Sequence, residues 1–273
     1  MLIKNYFPVS GGVCLALILF LTSCSHPSPK EARENLKTPE RDHSEASAPT
    51  IDYERAARLN VELGMTYLKA GEGARAKTKL NRALELGPNL PETHYAMGFY
   101  LESIGEKEAA ERAYRKAIQV SPQSGKAHNN YGAFLCRNQK FPQAEKEFLL
   151  AIKDTEYTET AETLENAGLC ALETKNAQKA TEYFEWALRH DPNRTEALLE
   201  LGILHFEAGN FQASRTYYDR FEKLRDPMPR SLWLGMKLAQ HFGEQDKAAN
   251  YKQLLESPRG ETEAYKGRRD QNG

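Results

Sequence analysis

Hydrophobic and polar positions along this chain alternate with a helical period, and the alternation itself recurs. From about residue 57 to 256, apolar side chains return at spacings of three and four, which places them on one face of a helix. A glycine interrupts that pattern at Gly64, Gly98, Gly132, Gly168, Gly202 and Gly235, at intervals of 34, 34, 36, 34 and 33 residues. Glycine within a helix costs roughly 1 kcal/mol relative to alanine, so its regular return needs a physical cause. Close approach of two helices, which a Cβ would block, supplies one.

Other landmarks keep the same register. Twelve residues after each of the first five glycines stands a small residue (Ala76, Ala110, Ala144, Ala180, Ser214), and four further on a large one (Leu80, Tyr114, Phe148, Phe184, Tyr218). Ala83, Ala117, Ala151 and Ala187 follow three beyond, and Pro88, Pro122 and Pro192 end the segment. The spacing predicts two helices per unit, with the small, large and small residues on one face of the second. A sixth unit, marked by Leu234, Gly235, Leu238, Ala248 and Tyr251, reads as degenerate and one residue short. A unit of about 34 residues built this way resembles the tetratricopeptide repeat. Six units predict an all-α superhelical solenoid over residues 51–256. The longer third interval, around "DTEYTET", is expected to loosen the stacking between units three and four.

A solenoid of helix pairs lines its concave groove with first helices. Counting each unit from seven residues before its glycine, residues two, five, nine, twelve and thirteen face that groove. Units one and two then contribute Val61, Met65, Leu68, Tyr95 and Phe99, framed by Arg58, Glu92 and Glu102. Apolar side chains in a charged frame suit an apolar peptide or an amphipathic helix. Met65 and Phe99 have an alternative role, packing between neighbouring first helices. In unit three, Lys126, Asn129 and Arg137 are predicted to project into the groove, either engaging a partner's carboxylate or carbonyls or forming a solvated face.

The N-terminus reads differently. The apolar run Val13–Leu21 matches the core of a signal peptide and is well short of the ~20 residues that span a bilayer. It ends at Leu21-Thr22-Ser23-Cys24, which resembles the lipobox of bacterial lipoproteins. The resemblance implies cleavage after residue 23 and lipidation of Cys24; two or more acyl chains hold a protein durably on a bilayer. Ser25 after the cysteine implies sorting to the outer membrane, facing the periplasm. Residues 24–50, rich in Pro, Ser and charge, read as a disordered tether spanning about 25–30 Å as a coil. Residues 257–273 read as a disordered tail. A net charge of −1 gives no reason to expect nucleic acid as a partner.

Of the four cysteines, Cys14 leaves with the signal peptide and Cys24 is the lipidation site, so Cys136 and Cys170 remain. They are the twelfth residue of one unit and the tenth of the next, late on adjacent first helices. In an oxidising compartment that makes them a candidate disulfide, with two buried thiols as the alternative.

No catalytic constellation emerges. His94 and His128 share the fourth place of their units and invite a metal site, yet Leu164 and Leu198 hold that place in units four and five, which marks it as a packing position. His205 stands where other units have Tyr67, Leu101 and Leu135, and His190 lies beside a turn. Phosphate loops, H-E-x-x-H and G-x-S-x-G motifs are missing from the sequence. The expectation is a non-enzyme with no cofactor, no metal and no small-molecule substrate.

Three strings, "NNYGAFLC", "ENAGLCAL" and "LWLGMKLA", resemble the type IV pilus biogenesis lipoproteins, the pilotins that support the outer-membrane secretin. Lipobox, polar tether, six repeats and the long third interval match that family's layout. The resemblance implies an adaptor that binds secretin subunits and promotes their localisation or assembly. A scaffold for peptidoglycan enzymes, or a part of the outer-membrane barrel assembly machinery, is the alternative.

Overall fold

The computed structural model describes residues 52–256, where all regular secondary structure is helical. Twelve helices follow in chain order: α1 (Tyr53–Lys69), α2 (Gly73–Leu86), α3 (Pro91–Ser103), α4 (Lys107–Val120), α5 (Gly125–Arg137), α6 (Phe141–Ala151), α7 (Thr160–Glu173), α8 (Ala177–His190), α9 (Thr195–Glu207), α10 (Phe211–Glu222), α11 (Pro229–His241) and α12 (Gln245–Glu256). Each odd-numbered helix pairs with the even-numbered one after it, and each of these pairs stacks on the next. The result is the all-α tetratricopeptide solenoid of six units. Helix starts follow local chemistry: Asp52 and Ser124 accept the amide protons of Arg55 and Ala127 at 2.9 and 3.2 Å, and Pro91 and Pro229 occupy first-turn positions where a missing N–H costs nothing.

The glycine register has the cause inferred from the sequence. A Cβ on Gly64, Gly132 or Gly168 would fall 2.7, 2.8 or 2.6 Å from Leu80, Phe148 or Phe184, the large residue of the same unit's second helix. Gly98 meets the Tyr114 ring at 3.1 Å in the same way. In unit five the partner changes: Gly202 faces Leu234 of the next unit at 2.9 Å, and Ser214 donates to the Gly202 carbonyl at 2.7 Å. Ala76, Ala110, Ala144, Ala180, Leu80, Tyr114, Phe148 and Phe184 are all essentially inaccessible, so the small–large pattern is the core of each helix pair.

A second register lies in the turns. Gly71, Gly105, Gln139, Lys175, Gly209 and Gly243 all adopt positive φ between the two helices of a unit. This turn recurs after 34 residues between Gly209 and Gly243, so the sixth unit is not a residue short. Gly235 instead stands one place earlier than the other helical glycines, packed against the Tyr218 hydroxyl.

The long third interval also departs from expectation. The segment between α6 and α7 folds back on the start of α5: Asp154 accepts the Gly125 amide proton at 2.8 Å, and Tyr157 covers Gly125. The Thr163 hydroxyl donates to the Tyr157 hydroxyl at 3.2 Å. The two extra residues therefore tie units three and four together. Cys136 on α5 and Cys170 on α7 add a disulfide with Cα atoms 5.8 Å apart.

Candidate functional site

First helices α1, α3 and α5 line a groove of about 930 Å³ on the concave side. Its walls carry Val61 and Met65 from α1, Tyr95 and Phe99 from α3, and Lys126 from α5. Helical spacing explains the grouping, because 61 and 65, and 95 and 99, are each one turn apart. Val61, Met65 and Tyr95 are half-buried against the core formed by Leu80, Met97 and Tyr100, while Phe99 stays 39% exposed. Of these, Phe99 is the side chain that remains most available to a partner.

Charges frame the apolar wall. The Arg58 Nε donates to Glu92 at 2.7 Å, joining units one and two, and Glu92 in turn holds the guanidinium pKa up. Lys126 pairs with Glu159 at 2.7 Å, joining unit three to unit four. Burial, reinforced by Glu92 and Glu159, pushes the Tyr95 hydroxyl pKa up, so the ring presents a neutral donor. Glu62 and Lys69 also line the groove, so both signs of charge meet at its rim.

Three residues expected in the groove lie elsewhere. Leu68 packs into the core of units one and two, outside the lining. Asn129 is 4% exposed and accepts a hydrogen bond from the Asn166 side chain at 3.1 Å, so it joins α5 to α7 and does not project. Its neighbour Asn130 takes the place in the groove wall. Arg137 is held by Glu102 through two bonds, of 2.7 and 2.8 Å, and borders a separate cavity of about 650 Å³ with Cys136, Leu169, Cys170 and Glu173. Lys69 stands at place thirteen of unit one, a groove position by the same count, whereas Asn130, at place six, was missed because a one-residue rotation of a helix about its axis is invisible to residue spacing alone.

The histidines hold structure. His128 is 6% exposed, with Nδ1 2.6 Å from Glu147 and Nε2 3.0 Å from the Pro122 carbonyl. His94 is only half-buried, a departure from the core position expected for it, with Nε2 2.8 Å from the Pro88 carbonyl. Among the described residues no cluster of His, Cys, Asp or Glu has the makings of a metal site, and no helix is long and apolar enough to cross a membrane.

The tetratricopeptide repeat family model matches residues 95–158 and 166–229. The type IV pilus assembly protein PilF of Pseudomonas aeruginosa is 35% identical over 191 residues, which cover 70% of this chain and 76% of that protein. The chain belongs to the PilF family. An uncharacterized protein of Haemophilus influenzae is 34% identical over 150 residues, covering 55% of this chain and 84% of its own. The solved structure of Pseudomonas aeruginosa PilF superposes with a TM-score of 0.70 at 32% identity, over 80% of this chain and 99% of that one. PilW, described as a widely conserved type IV pilus biogenesis factor, shares the fold with a TM-score of 0.66 at 22% identity, over 77% and 97% of the two chains. Within the PilF-family architecture, the groove of α1, α3 and α5 combines an apolar wall with charges of both signs at its rim.

Proposed function

We propose that the protein is a non-catalytic, lipid-anchored adaptor of type IV pilus biogenesis, a pilotin, whose concave groove holds secretin subunits. The observation that carries this reading is the groove of Val61, Met65, Tyr95 and Phe99 in a PilF-family chain. An apolar wall framed by charge receives an amphipathic or extended apolar segment: burial supplies the affinity and the rim sets orientation.

The Leu21-Thr22-Ser23-Cys24 sequence lies outside the described residues and supports a lipid anchor at Cys24, in the outer membrane and facing the periplasm. Residues 25–50 then act as a leash of about 85 Å at full stretch. The lipid fixes the adaptor, the leash lets the groove search, and the groove holds a secretin subunit until it assembles.

Two arms test this. Deletion of the gene should abolish secretin multimers and leave porins intact, and crosslinked full-length protein should bring down the secretin as its main outer-membrane partner. A general porin defect would point to barrel assembly, and recovery of hydrolases to peptidoglycan scaffolding; either result replaces the secretin reading. In the second arm, Cys24→Ser should release the protein from outer-membrane vesicles in a flotation gradient. Continued flotation would remove Cys24 as the anchor.

A further inference from the structure

Leu59 and Leu63 on α1 are 52% and 45% exposed. They are residues three and seven of the first unit. The same two places are buried in every other unit, from Thr93 and Met97 in the second to Ser231 and Gly235 in the sixth. The reason is visible in unit three, where Tyr131 stacks on Tyr114 of α4 with ring centroids 6.3 Å apart and donates to Glu111 on the same helix. Places three and seven are thus where a first helix receives the second helix of the unit before it. Among the described residues, α1 has no such helix before it.

End units of solenoids turn a polar face outward when nothing covers them. This one retains two leucines one turn apart. We propose that the outer face of α1 is a self-association surface, on which α1 of a second copy packs antiparallel about a two-fold axis.

Three features favour a second copy as the occupant. The face continues the helix stacking already used at all five junctions inside the chain, so its shape suits a helix. A two-fold axis sets Leu59 of each copy beside Leu63 of the other, which covers all four leucines with one contact and closes the assembly at two. Arg55 and Glu62, both exposed and of opposite charge, flank the same side of the leucine stripe, so the rotation brings each toward the other's counterpart. A contact between single helices lies below the roughly 1,200 Å² of strong interfaces, which makes the dimer weak and dependent on concentration. Val61 and Met65 point to a different side of α1, so variants at Leu59 and Leu63 leave the groove's apolar wall intact, although Glu62 borders both surfaces.

The test places a photoreactive benzophenone amino acid at position 63 of the full-length chain in its own cells. Irradiation should give an adduct of twice the chain's mass whose junction peptide lies within residues 53–69 of the second copy. Leu59→Glu should cut its yield by about tenfold, because it replaces an apolar side chain at the centre of the contact by a carboxylate that must lose its water there, even with Arg55 one turn away. Leu59→Ala, which adds no charge, should reduce it less, and both variants should keep the parent's thermal midpoint. The same probe at Leu149, 38% exposed on α6, should give no such adduct. Adducts only with another polypeptide, a junction on α12, or equal yields from positions 63 and 149 would overturn the two-fold dimer.

Discussion

Tyr157 lies over Gly125 so closely that a Cβ at Gly125 would fall 2.6 Å from the Tyr157 Cγ and 2.8 Å from the Ala151 carbonyl oxygen. These contacts turn the two-residue insertion after α6 into a clasp on the start of α5. Gly125→Ala should therefore destabilise the solenoid by about 1–3 kcal/mol, the usual cost of overpacking. Tyr157→Ala removes the ring but leaves the Ala151 carbonyl in place, so the double variant should lose less than the two single losses combined. Urea unfolding of the four proteins checks both statements. Full additivity would mean that Tyr157 does not constrain Gly125.

The Cys136–Cys170 bridge acts at the same junction, linking α5 to α7 across a separation of 34 residues. In the chain-entropy model a loop of this length stabilises by about 3–4 kcal/mol. Replacing both cysteines by alanine, or adding reductant to the folded protein, should lower the unfolding midpoint by matching amounts. Two alkyl adducts on the unfolded, unreduced protein would show that the bridge does not form in solution.

His128 joins α5 to α6 and to the preceding turn. Burial pulls its pKa down, but the Glu147 carboxylate and the Pro122 carbonyl, with Asp154 nearby, outweigh that and leave it raised. Both ring nitrogens face acceptors, so the imidazolium is the form that satisfies the site. A raised pKa contributes stability in full below the unfolded value of about 6.5 and loses it as pH rises through the folded value. Glu147→Gln should therefore be less stable than the parent at pH 6, by about 1–2 kcal/mol for a charge-assisted bond, with the gap narrowing by pH 9. A gap independent of pH would assign the pair a purely steric role.

The sequence made the repeat legible because each unit's packing is local: Gly168 and Phe184, sixteen residues apart, meet within one helix pair. Groove residues that repeat with a helical turn, Val61 with Met65 and Tyr95 with Phe99, were legible for the same reason. Asn129 and Arg137 were not, since their orientation depends on Asn166 and Glu102 in neighbouring units, 37 and 35 residues away. The clasp was hidden because spacing reports an insertion's length but not where Asp154 and Tyr157 fold back. Gly235 misled the unit count because it sits at a place where another unit carries Tyr131, and the turn glycine Gly243 was the better marker.

Tyr95 and Phe99 share the groove but not their surroundings, and that difference separates binding from folding. Phe99 is 39% exposed, whereas Tyr95 packs on the core of units one and two. Phe99→Ala should therefore leave the thermal midpoint nearly unchanged while weakening the secretin binding proposed above by about 2 kcal/mol, roughly thirtyfold, as for a buried aromatic anchor. Tyr95→Ala should weaken binding and also lower the midpoint, because it opens a void beside Met97 and Tyr100. Gly98→Leu is the structural control: its side chain would run into the Tyr114 ring, which already lies 3.1 Å from an added Cβ, and the midpoint should fall sharply. Titrating full-length detergent-solubilised protein with the secretin gives the affinities, and thermal unfolding of the same samples gives the midpoints. Unchanged affinity for Phe99→Ala, with an unchanged midpoint, would move the binding site out of this groove.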